Sequence, residues 1–148
     1  MRVTFFGHRD APESLYAPLK EVLTDLIEHR GADSFYVGNE GVFDRLVQKV
    51  LRELSVQYPH IECTVVLAYL PRAPLAQDAD KYESTLYPEA AANAPARFAI
   101  DRRNRFMIEE SDLAVTFVKT SYGGAAKAKA LTQRKGKQIL ELAKISKP

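Results

Sequence analysis

Three short runs of this chain set glycine beside residues able to hold an anion. Gly7-His8-Arg9, Gly38-Asn39-Glu40-Gly41 with Asp44 close behind, and Ser121-Tyr122-Gly123-Gly124 each follow an apolar stretch and precede residues at helical spacing. Glycine lets backbone N–H groups approach a ligand closely, and a helix start behind it favours negative charge, so each turn is a candidate anion cradle. The middle one is the most explicit, because Phe35-Tyr36-Val37 stops at Gly38 and the apolar pattern resumes after Gly41 as Val42-Phe43-Asp44-Arg45-Leu46. None is a fingerprint alone, since the chain has neither a Gly-x-Gly-x-x-Gly run nor a phosphate loop ending in Gly-Lys-Ser/Thr.

Charged residues near these turns supply the remaining chemistry. On a helical wheel Ala99, Ile100, Phe106 and Met107 define an apolar arc with Arg103 near its centre and Asn104 at its edge. An inward guanidinium must meet an internal carboxylate, for which Asp44 and Asp112 are the candidates, or an anionic ligand. His8 is one candidate for acid–base work, because imidazole titrates near neutrality, and Glu40 is the other. The alternative for His8 is a hydrogen bond to backbone or ligand. Asp44, in a first helical turn, either favours that helix start or accepts ribose hydroxyls. The spacing of His, Asp and Glu indicates no metal site, and nothing in the sequence specifies a cofactor.

The elements that must position these residues follow from periodicity. Val3-Thr4-Phe5-Phe6 reads as a buried strand, and Leu15, Leu19, Val22, Leu23, Leu26 and Ile27 as the stripe of a first helix. Ser34 to Val37 gives strand two, Phe43 to Leu54 helix two, Glu62 to Tyr69 strand three, and Ala96 to Glu110 helix three. Leu113 to Val118 is strand four, Ala125 to Arg134 helix four, and Gln138 to Leu142 a last strand. Such alternation predicts an α/β chain: a single Rossmann-like three-layer domain over residues 1–148, with about five mainly parallel strands and helices on both faces. Strands one and four are then neighbours, and the three turns converge at the strand carboxyl ends, where ligands bind in such sheets. Between Leu70 and Pro95 the pattern fails around Pro71, Pro74, Pro88 and Pro95. That length of irregular chain reads as a lid carrying Tyr69, Tyr82 and Tyr87, or as a surface excursion.

The 148 residues, 46% hydrophobic and 27% charged, suffice for one ordinary core. The lone Cys63 rules out an internal disulfide and sits among Ile61, Val65 and Val66 as a strand residue would. No apolar run reaches membrane-spanning length and no signal-peptide pattern opens the chain, which points to a cytoplasmic protein without membrane contact. The net charge is +2, yet from Lys119 onward eight Lys/Arg face one carboxylate, Glu141. A solvated face is the simpler reading of that end, because only Tyr122 is there to stack bases; nucleic-acid or partner binding ranks behind it. The composition is compatible with a homo-oligomer.

Taken in order, Phe6-Gly7-His8-Arg9, Val37-Gly38-Asn39-Glu40-Gly41-Val42-Phe43-Asp44, Leu67-Ala68-Tyr69-Leu70, Tyr87-Pro88-Glu89, Arg103-Asn104-Arg105-Phe106-Met107-Ile108 with Ser111-Asp112, and Tyr122-Gly123-Gly124-Ala125 resemble the SLOG superfamily. Within it the YspA/YpsA-like branch of small bacterial proteins is the most similar. The resemblance implies a Rossmannoid fold and a pocket for a nucleotide-derived small molecule, lined by Gly7, His8, Arg9, Gly38, Asn39, Glu40, Gly41, Asp44, Arg103, Asn104, Gly123 and Gly124, beside which Ser121 belongs to the last turn. Val42 stands where relatives often carry another glycine. The cytokinin-nucleotide hydrolases of the superfamily follow a Pro-Gly-Gly-x-Gly-Thr turn with a catalytic glutamate; here the run Gly123-Gly124-Ala125-Ala126-Lys127-Ala128-Lys129 holds no carboxylate. The expectation is therefore a nucleotide-ligand sensor or regulator. The alternatives are a hydrolase or transferase acting on a glycosidic or phosphate bond, and a nucleic-acid or protein-partner binder using the basic end.

Overall fold

A computed structural model describes residues 1–70 and 84–145. The first strand, β1 (Arg2–Gly7), runs through the middle of a six-stranded sheet with β2 (Ser34–Val37), β3 (Glu62–Val66) and β4 (Ser84–Leu86) on one side. On its other side lie β5 (Leu113–Phe117) and β6 (Gln138–Glu141), giving the order β4-β3-β2-β1-β5-β6. Every neighbouring pair is parallel. Strands β1 and β5 are adjacent although far apart in sequence, with Val3 opposite Leu113 and Gly7 opposite Phe117, so the strand order reverses between them.

Alternation along the strands divides the apolar residues between two layers. Phe5, Phe35, Val65 and Val115 point to one face, where they meet α1 (Tyr16–His29), α2 (Val42–Gln57) and the short α6 (Leu142–Ile145) through Leu19, Leu23, Val47, Leu51 and Leu142. Their neighbours Phe6, Val66 and Ala114 point to the other face. There Met107 and Ile108 of α4 (Ala99–Glu109) and Ala128 of α5 (Gly124–Arg134) cover them, with α3 (Glu89–Ala92) packed beside α4. The result is the expected Rossmann-like three-layer arrangement with one strand more than the sequence indicates.

That strand is a correction. β4 pairs with β3 through Thr64–Ser84 and Val66–Leu86, and its three residues are too few to show a periodicity. With α3 it places regular structure at 84–86 and 89–92, where the sequence suggested an irregular lid. Residues 71–83, including Tyr82, lie outside the described residues. Tyr69 donates its hydroxyl to the Ala96 carbonyl (2.9 Å), and Tyr87 packs half-buried against the larger core. Among the described residues no helix is long and apolar enough to cross a membrane.

Candidate functional site

The carboxyl ends of β1 and β2, the inner face of α4 and the start of α5 enclose an open cleft of about 410 Å³. Gly7, His8, Arg9, Gly38, Glu40, Asp44, Arg103, Asn104, Gly123 and Gly124 all line it. Asn39, Gly41 and Ser121 do not, although the sequence groups them with the rest. Asn39 and Ser121 turn outward to solvent, and Gly41 lies beneath Arg9. A second cleft, of about 460 Å³, opens beside the first and shares His8, Asp10 and Gly123 with it, with Lys119 and the exposed Tyr122 on its far wall.

Each glycine has its own reason. At Gly7 a Cβ would overlap the Phe43 ring, so the residue serves the packing of β1 on α2. At Gly38 a Cβ would stand 2.7 Å from Asp44 Oδ2 and 2.8 Å from Arg103 Nη1, so the missing side chain is what lets those two groups face each other over the backbone. Gly41 caps α2 at φ +93°, and Arg9 Cα would lie only 2.8 Å from a Cβ there. The β2–α2 turn is thus occupied by its own chain: Val42 N–H donates to the Arg9 carbonyl (2.8 Å) and Glu40 N–H to Asp44 Oδ2 (2.8 Å). Gln48, a buried amide among the apolar residues of α2, fixes the turn from below by donating to the Gly38 carbonyl (2.9 Å). Its one sequence signal is a polar residue beside Val47 and Leu51 on the inward stripe. The cradle expected at this turn is therefore largely spent on internal hydrogen bonds.

The start of α5 is the opposite case. Gly123 caps it at φ +92°, a Cβ at Gly123 or Gly124 would meet nothing within 4 Å, and Gly124 opens into the cleft. The N–H groups of Gly124, Ala125 and Ala126, which a helix start leaves unpaired, meet no acceptor among the described residues.

Arg103 is 4% exposed. Its Nε and Nη2 donate to Asn104 Oδ1 (3.1 and 3.0 Å), while Nη1 lies 3.5 Å from the Val66 carbonyl. Burial lowers its pKa, and the negative charges of Asp44 and Glu40 oppose that. Asp44 is the internal counter-charge, but among the described residues no carboxylate comes within 4.0 Å of the guanidinium. Asp112 is excluded from that role, because it accepts from Arg2 N–H (2.9 Å) at the opposite end of the sheet. Burial raises the Asp44 carboxyl from 3.8 to about 6, against the Glu40 N–H and the charge of Arg103, which lower it.

His8 is tied down. Lys119 N–H donates to His8 Nε2 (2.8 Å), and because a backbone N–H can only donate, that nitrogen carries the lone pair. The ring also packs edge-on against Phe117. Glu40, half-buried, pairs at 3.6 Å with the exposed Arg9. Neither of the two acid–base candidates is thus an unpartnered group. Asp10, Ile100 and Ala125 also line the cleft. Ile100 sits one turn before Arg103 on α4 and Ala125 directly follows Gly124, so helical spacing is the sequence signal for both.

No family model and no curated protein matches the chain. Among solved structures, the DNA processing protein A (DprA) from Streptococcus pneumoniae is similar, with a TM-score of 0.69 at 14% identity over 95% of this chain. The match covers 49% of the DprA chain, so the present chain spans about half the length of that protein. At this identity the likeness establishes the fold.

Proposed function

We propose that the chain binds a nucleotide-derived small molecule in the β1–β2–α5 cleft and acts as a sensor or regulator. The observation that carries the reading is the open α5 start, whose first-turn N–H groups are unpaired among the described residues and whose Gly124 and Ala125 line the same cleft as the buried Arg103, together with Asp10, Glu40 and Asp44. Unpaired N–H groups and a guanidinium suit a phosphate; carboxylates beside them suit ribose hydroxyls. A purely anionic ligand would leave the carboxylates opposed, and a purely neutral one would leave the Arg103 guanidinium with hydrogen bonds to Asn104 and Val66 but, among the described residues, no carboxylate at ion-pair distance. Membership of the SLOG superfamily, in its YspA/YpsA-like branch, and a single domain working in the cytoplasm belong to the same proposal, which the DprA-like fold supports only in its coarse form.

Calorimetry and thermal shift with AMP, cyclic and linear dinucleotides, NAD and ADP-ribose test it. At least one is expected to bind and raise Tm, and the Arg9→Ala/Arg103→Ala variant is expected to lose that response. No binding by the unaltered protein across the panel would overturn the reading.

A second reading is favoured by one residue. A buried carboxyl with a pKa near 6, lining the cleft, has the character of an acid–base group. Hydrolysis or transfer at a nucleotide's glycosidic or phosphate bond would then use Asp44, since His8 Nε2 is engaged. Chromatography of a nucleoside monophosphate panel after incubation checks this; turnover that survives Asp44→Asn removes that role.

A further inference from the structure

On the sheet face away from α1 and α2, helices α4 and α5 leave a groove of about 400 Å³ between them. One wall carries Phe98, Arg102 and Arg105, at helical spacing of three and four residues; the other carries Lys127, Leu131 and Arg134 at the same spacing. The structure thereby joins two basic stripes that are separate in the sequence and sets them on either side of an apolar floor of Ala128 and Leu131. Asp101 also faces the groove, but Lys127 Nζ pairs with it at 2.7 Å, and Arg105 reaches Glu109 only at 3.9 Å. Among the described residues no carboxylate comes within ion-pair distance of Arg102 or Arg134. Both side chains are exposed. Phe98 is 42% exposed at the groove's end, with the Arg97 guanidinium 4.9 Å from its ring centroid.

We propose that this α4–α5 groove docks an acidic, amphipathic peptide segment of a partner protein. Cationic rims over an aliphatic floor complement carboxylates flanking apolar side chains, the pattern of an amphipathic helix laid in a groove. Seven residues of rise along either wall give about 10 Å, room for roughly two helical turns of the incoming segment. A single-stranded nucleic acid fits less well. Its bases need open aromatic faces. Arg97 lies against the Phe98 ring, and Ala128, Leu131 and Asn104 between the rims present no aromatic face. The groove is also set apart from the nucleotide cleft, since Asn104 alone borders both.

Fluorescence anisotropy on the full chain tests the assignment with a labelled helical peptide of glutamate and leucine, a glutamate–serine peptide of equal charge, and an oligothymidylate. The glutamate–leucine peptide is expected to bind more tightly than the serine peptide and to weaken as salt rises. Arg102→Glu with Arg134→Glu, at two exposed positions, is expected to weaken it roughly tenfold or more while circular dichroism stays unchanged. Equal binding of the two peptides, undiminished binding by the double variant, displacement of the peptide by AMP, or binding of the oligothymidylate in place of the peptide would each overturn the proposal.

Discussion

Gly41 and Gly123 occupy the same place in two strand-to-helix turns, capping α2 and α5 with φ of +93° and +92°. Around Gly41 the chain has closed in. Arg9 lies against it, the Arg9 carbonyl takes the first N–H of α2, and the Asp44 carboxylate takes the N–H of Glu40. Around Gly123 nothing has closed in, and the first-turn N–H groups of α5 stay available. A glycine-capped helix start is thus an anion site only where the rest of the fold leaves its donors unspent. In the β2–α2 turn the same local geometry is used to bring Arg9, Glu40 and Asp44 to the cleft wall.

The largest expected effect tests the closed side. Gly41→Ala adds a methyl group against the Arg9 backbone at a positive φ, and should cost about 4 kcal/mol in urea denaturation. Gly123→Ala carries only the conformational cost, about 1–3 kcal/mol. Equal losses would erase the distinction between the turns.

The next effect comes from the carboxylate that closes the β2–α2 turn. With a folded-state pKa of about 6 against 3.8 for an ordinary aspartate, folded Asp44 keeps a proton that the unfolded chain has released. Its contribution to stability is therefore full below about pH 4 and declines as pH rises to about 6, by up to about 3 kcal/mol. Asp44→Asn should flatten the stability profile across that window; an unchanged slope would assign it to other groups.

The smallest effect tests the open side. Gly124→Glu places a carboxylate where the donors of α5 are exposed, which complements the helix start and should leave urea stability within about 0.5 kcal/mol. The same charge should weaken any phosphate-bearing ligand of the cleft roughly tenfold by calorimetry. Undiminished affinity would place the phosphate elsewhere in the cleft.

Much of this arrangement is legible in the residues themselves. The alternation of apolar runs yields the layers and the adjacency of β1 and β5, and the helical wheel is enough to turn Arg103 inward. Its partner is not legible, since Asp44 and Asp112 each lie next to a predicted strand end; parallel pairing puts Asp112 at the amino end of β5 and Asp44 beyond the carboxyl end of β2. β4 is hidden because three residues carry no period, and it pairs only because β3 offers an edge. Gln48 is hidden because one amide in the middle of α2 reads as the edge of its solvent face, and only the fold shows the Gly38 carbonyl it serves.

What the sequence determined by itself are local matters: where strands and helices form, which positions need glycine, and which side of α4 is apolar. These depend on backbone sterics and on side-chain periodicity over a few residues. The tertiary structure decided which helix start keeps its N–H groups unpaired, which aspartate lies nearest Arg103, and that the basic residues of α4 and α5 share one groove. Each of those depends on groups far apart in the chain, such as the Arg9 carbonyl and the Val42 N–H, and a hydrogen bond or an apposed charge between them exists only once the parallel sheet has brought their ends together.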